Sequence, residues 1–127
     1  MKKQAFIRYS STTTERITRV YEGMYWRPPT DFYETCDALI VRVEVSGISE
    51  SDFSISLAGT TLRIEGLRQE SCEKLCYFQM EIAYGAFCTE IKIPENVLLD
   101  FEHLETAYTN GFLSVRLPKL QPQLSSI

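Results

Sequence analysis

Four cysteines, Cys36, Cys72, Cys76 and Cys88, and one histidine, His103, are the side chains best suited to chemistry in this sequence. Zinc chemistry needs several thiolate or imidazole ligands at short, regular spacings, and Cys72-x-x-x-Cys76 with two distant cysteines fits no zinc module. The spacing is also not the C-x-x-C of a thiol redox motif. His103 stands beside Glu102 and Glu105 with no nucleophile in a pattern that a hydrolase or transferase would need, and a surface histidine on a strand accounts for it. The expectation is therefore no catalytic residue, no cofactor and no metal, and the residues that matter are those that build surfaces.

Composition narrows the class. Thirteen Lys and Arg against 17 Asp and Glu give a net charge of −4, and no basic stripe marks a nucleic-acid interface. With 44% hydrophobic and 24% charged residues, the chain reads as globular. No apolar run approaches the roughly 18 residues of a membrane span. Met1-Lys2-Lys3 is followed by Gln4, Arg8 and a Ser/Thr run at 10–14, which leaves no apolar stretch for a secretion signal. A cytoplasmic location with reduced thiols is expected.

Three regions position these residues. In 1–25, an N-terminal arm, Thr12 and Glu15 resemble a capping box and Ile17, Val20, Tyr21 and Met24 recur at helical spacing. This predicts a short amphipathic helix at about 13–24, packed on its own domain or its partner, or offered to clients or to assembly. Trp26-Arg27-Pro28-Pro29 ends it. From 26 to 119 the period is two. Leu39, Val41, Val43 and Val45 alternate with polar or outward residues; so do Phe53, Ile55 and Leu57, then Leu62 and Ile64 beyond a turn at Ala58-Gly59-Thr60. Arg68 to Lys74 reads as a loop, Leu75 to Ala83 as a strand, and Phe87, Thr89, Ile91 and Ile93 as another. Leu104 to Tyr108, Asn110-Gly111 and Leu113 to Leu117 read as a final hairpin. Residues 120–127 form a loose tail. Roughly seven or eight short strands without a long helix predict an all-β, antiparallel, immunoglobulin-like β-sandwich.

Three motifs in order resemble the α-crystallin domain of small heat-shock proteins of the bacterial type. Trp26-Arg27-Pro28-Pro29-Thr30-Asp31-Phe32-Tyr33-Glu34 resembles that family's W-x-P-x-x-D-x-x-E lead into the first strand. Glu81 to Phe87 resembles E-x-x-Y-G-x-F, followed by Ile93-Pro94 where Leu-Pro is usual. Ala107 to Leu113 matches A-x-x-x-n-G-x-L, with Leu117-Pro118-Lys119 after it, and Val45-Ser46-Gly47 stands where Pro-Gly is usual.

The resemblance implies an ATP-independent chaperone, a holdase that binds partly unfolded clients and hands them to ATP-dependent chaperones, as a homodimer and in higher or mixed oligomers. It implies a groove between the strand at 53–58 and that at 103–108, lined by Ile55, Leu57, Leu104 and Ala107, which on alternation alone are equally well core residues. It implies a dimer contact in which a donor strand around Leu75, Cys76, Tyr77 and Phe78, reaching to Met80, meets Asp31, Phe32, Tyr33 and Glu34 of a second chain; the alternative is a hairpin folded on its own domain. Oxidation at Cys72 and Cys76 would then couple thiol state to dimer exchange, against the plainer reading of small apolar side chains. Three features depart from the family. The tail reads Leu124-Ser125-Ser126-Ile127, one residue too many for I-x-I, so Leu124 and Ile127 are the candidate anchors. Thr89 stands where an arginine is common, and the arm is short. A co-chaperone sandwich of the CS type, binding a folded partner, is the alternative function, although it lacks the long loop strand and the A-x-x-x-n-G-x-L ending.

Overall fold

In the computed structural model, which describes residues 2–4, 24–70 and 72–121, the strands are β1 (Lys2–Gln4), β2 (Thr30–Glu34), β3 (Ala38–Glu44), β4 (Phe53–Ala58), β5 (Thr61–Arg68), β6 (Gly85–Lys92), β7 (Glu105–Thr109) and β8 (Phe112–Pro118). They form two antiparallel sheets, one in the order β1-β7-β8-β3-β2 and one in the order β4-β5-β6. The antiparallel sandwich expected from the sequence is the fold observed.

The alternation explains why the sheets stack. Leu39, Val41 and Val43 of β3 and Leu113, Val115 and Leu117 of β8 are buried and lie directly opposite one another in register. They meet Phe53, Ile55, Leu62, Ile64, Phe87 and Ile91 of the other sheet in one apolar cluster. Fully burying each such side chain contributes about 1.5–3 kcal/mol, so the period-two pattern supplies most of the drive for the fold. One turn and one hydrogen bond fix the final hairpin. Asn110 and Gly111 both take positive φ, 54° and 83°, as a tight two-residue hairpin requires. Tyr108 then donates its hydroxyl to the carbonyl of Val45 at 2.9 Å, tying that hairpin to the end of β3.

Two expectations are corrected, and one strand is added to those expected. Leu75 to Ala83 is not a strand: residues 72–84 adopt neither strand nor helix, and 72–82 are exposed. Alternation marks a segment able to pleat, but a strand also needs a neighbouring edge for its backbone, and β5 already has β4 and β6 on its two sides. Ser54 and Ser56, expected on a solvated face, are buried along with Glu65. Lys2–Gln4, placed within the arm, adds a strand to β7, pairing Lys2 with Ala107 and Gln4 with Glu105. The helix expected at 13–24 falls outside the described residues except for Met24, which is exposed and not helical, and the anchors Leu124 and Ile127 fall outside them entirely.

Candidate protein-interaction surfaces

The long connection between β5 and β6 is clamped at its base and open at its tip. Arg68, the last residue of β5, donates from Nε and Nη2 to the carbonyl of Ala83, at 2.9 and 2.6 Å, and from Nη1 to Ser46 at 3.1 Å. Its guanidinium lies over the rings of Trp26 and Tyr84, at 4.6 and 5.6 Å. Beyond that clamp Leu75 and Phe78 are fully exposed, and Tyr77, Met80 and Ile82 are exposed as well. An isolated exposed leucine means little, but five large apolar side chains on one short segment are the kind of surface that proteins cover. Cys76 lies among them, exposed.

A strand edge matches this segment. β2 is the outermost strand of its sheet: β3 is its neighbour on one side, and no described strand lies on the other. Asp31, Tyr33 and Glu34 are exposed on β2, while Phe32 packs half-buried against the core. Glu34 bonds Nζ of Lys119 at 2.6 Å, which holds the end of β2 to the end of β8. Where the resemblance would place an arginine, the hydroxyl of Thr89 lies 3.1 Å from that of Thr30, joining β6 to β2 without charge. The four residues 31–34 and the four residues 75–78 are therefore well separated in sequence, each accessible, and not paired with each other within one chain.

The Thr30–Thr89 contact puts β6 over β2, so by strand order β4 lies towards β7 and β1. This is the side where the groove was expected. Ile55 and Leu104 are buried in the central cluster, at 5% and 0% exposure, whereas Leu57 packs half-buried against that cluster and Ala107 is half-buried on β7. The edge of β7 at Ala107 carries β1.

The thiols differ in environment. Cys36, Cys72 and Cys76 are exposed, and Cys88 is partly buried on β6. Burial pushes the Cys88 thiol up to about 11; the Arg63 guanidinium opposes this, and the carboxylates of Glu65 and Glu90 add to it. Because the thiolate is the reactive form, Cys88 carries a roughly hundredfold smaller reactive fraction near neutral pH than an ordinary thiol. Titration of the native protein with a thiol reagent such as DTNB is expected to modify Cys36, Cys72 and Cys76 quickly and Cys88 only after denaturation. Four equally fast thiols would contradict this environment.

Sequence reasoning missed the Arg68 clamp, because an arginine after a strand carries no sign that an aromatic pair lies beneath it. It missed β1 because Lys2-Lys3-Gln4 has no alternation to read. Among the described residues no group of His, Cys, Asp and Glu is arranged to hold a metal ion.

Known proteins of this shape point one way. Residues 31–126 match the Hsp20/alpha crystallin family. Small heat shock protein C4 of Rickettsia felis is 31% identical over 78% of this chain and 61% of its own length, and its C2 relative is 29% identical over 87% and 66%. The chain thus spans under two thirds of each of these relatives. Heat shock protein 16.0 of Schizosaccharomyces pombe superposes with a TM-score of 0.69 at 25% identity, over 80% of this chain and 94% of that one. HspA of Xanthomonas axonopodis gives 0.67 at 25% identity, over 76% and 97%. With the family match covering the sandwich from β2 through β8, the chain belongs to the Hsp20/alpha crystallin family.

Proposed function

We propose that this protein is an ATP-independent holdase that captures partly unfolded proteins on exposed apolar surface. Of the exposed row Leu75, Tyr77, Phe78, Met80 and Ile82, held out from the sandwich by the Arg68 clamp, Met80 and Ile82 lie beyond the segment that pairs two copies, and that observation carries this reading. The sequence maintains a packed core elsewhere, so an apolar row left in water suits a protein partner.

Two copies satisfy one another. The segment Leu75, Cys76, Tyr77 and Phe78 of one chain extends as a strand along Asp31 to Glu34 of the other. The added hydrogen bonds and the buried side chains together hold a homodimer. In this reading the working division is an arm at 1–25, a sandwich at 26–119 and a tail at 120–127. Leu57 and Ala107 form the accessible rim of a groove whose floor is Ile55 and Leu104, with Leu124 and Ile127 as the side chains that reach such a groove in larger or mixed assemblies. Clients are released to ATP-dependent chaperones, in the cytoplasm. Many weak apolar contacts presented together bind varied sequences with useful avidity.

Light scattering from a heat-unfolding reporter enzyme, without ATP and with equal subunit amounts of this protein, tests the activity. Suppression of scattering is expected. Undiminished scattering alongside a folded dimer would sink the holdase reading and favour a sandwich that binds a folded chaperone, as CS-type co-chaperones do.

A further inference from the structure

Cys72 lies just before the donor segment and Cys76 within it, both exposed on an irregular stretch of the single chain. Lys74, between them, brings Nζ to 3.6 Å from Sγ of Cys72 and donates to the Cys72 carbonyl at 3.0 Å. Glu70 holds that ammonium at 3.6 Å and also receives the hydroxyl of Tyr77. The cluster therefore gathers Lys74, Glu70 and Tyr77 around one thiol of a pair spaced four residues apart.

The geometry of a disulfide conflicts with the geometry of a strand. A disulfide holds its two Cα atoms about 4.4–6.8 Å apart. In an extended run, Cα atoms four residues apart are separated by about 13 Å. Linking Cys72 to Cys76 therefore removes about 6–9 Å of reach from a connection that has to carry Leu75 from its own β5 to another chain's β2. It also bends the backbone where the donor strand starts.

We infer that Cys72 and Cys76 form a peroxide-driven disulfide that locks the loop in a compact form and withdraws the donor strand, so that oxidation releases the dimer. The steps balance with a hydroperoxide as oxidant. The Cys72 thiolate attacks one peroxide oxygen, giving the sulfenic acid and hydroxide, or alkoxide from an organic peroxide. The Cys76 sulfur then displaces that hydroxyl, forming the S–S bond, and its proton leaves with it as water. Thioredoxin-type or small-molecule thiols reverse the link by exchange. The release half rests on the dimer proposed above; the cross-link does not.

The test treats the full chain with hydrogen peroxide and follows two readouts. Trypsin cuts after Lys74, so residues 69–74 stay joined to 75–92 only through a disulfide, and mass spectrometry of the unreduced digest detects it. Light scattering coupled to gel filtration follows dimer mass. The expected result is the joined peptide, a fall in dimer fraction of at least fivefold, and recovery of both on adding dithiothreitol. Cys72→Ser and Cys76→Ser should each lose the joined peptide and keep the dimer under peroxide, which also separates Cys76 from Cys88 within the same peptide. No joined peptide overturns the proposal. A joined peptide with an unchanged dimer overturns release alone, whereas a monomer already present in reductant overturns release together with the dimer reading.

Discussion

Gly66→Ala is expected to destabilise the sandwich by about 3 kcal/mol or more and to lower the melting temperature by about 10 °C. Gly66 lies on β5 opposite Phe53, and a Cβ there would fall 2.3 Å from the carbonyl oxygen of Asp52 and 2.5 Å from Cζ of Phe87. Neither neighbour yields easily. Asp52 is held in a one-turn 3-10 helix by its amide to the Ser49 carbonyl at 2.9 Å, and its carboxylate receives the Ser49 amide at 3.1 Å. Phe87 is fully buried against Trp26, with ring centroids 5.7 Å apart. For a domain whose total stability is about 5–15 kcal/mol, this is a large fraction. Gly59→Ala is the control: it has open space around it and a positive φ of 63°, so it should cost only about 1 kcal/mol. Thermal unfolding followed by circular dichroism distinguishes the two, and a Gly66→Ala protein within 1 kcal/mol of the parent would show that the turn at 49–52 gives way freely.

The sequence stated its sheets more clearly than its surfaces, for a physical reason. Alternation along 39–45 and 113–117 encodes which side of each strand leaves water, and that choice is enforced by burial within one chain. Asn110-Gly111 encodes a backbone conformation, which is local. Leu75 to Ala83 carries the same alternation and yet joins no strand among the described residues, because the pattern says only that a strand is possible and not which edge it takes. Ser54, Ser56 and Glu65 show the opposite failure: polar side chains on an outward face that is nonetheless covered. Spacing alone makes Ile55 and Leu57 equivalent, but one is core and the other is rim, since the end of an edge strand is more open than its middle. The family motifs name the segments offered as interaction surfaces; the Arg68 clamp that presents the loop, and the Lys74 contact beside Cys72, rest on distances no single-sequence pattern carries.

Replacing Leu75 and Phe78 together by lysine is expected to leave each chain folded and to make it a monomer. Both side chains are fully exposed within one chain, so removing them opens no cavity, and the melting curve of the isolated fold should shift little. In a two-fold dimer every contact occurs twice, so the double substitution removes four large apolar side chains from the interface. At about 1.5–3 kcal/mol for each one buried, the gross loss is on the order of 8 kcal/mol. If only a third of that is realised, Kd still rises about a hundredfold. The four added ammonium groups must also be desolvated or expelled. Leu98→Lys supplies the comparison, since Leu98 is also exposed but belongs to neither the donor segment nor β2. Light scattering coupled to gel filtration at micromolar concentration, with reductant present, should give a monomer for the double variant and a dimer for both Leu98→Lys and the parent. A double variant that stays dimeric would remove the loop from the interface and leave the open edge of β2 to be covered by something else.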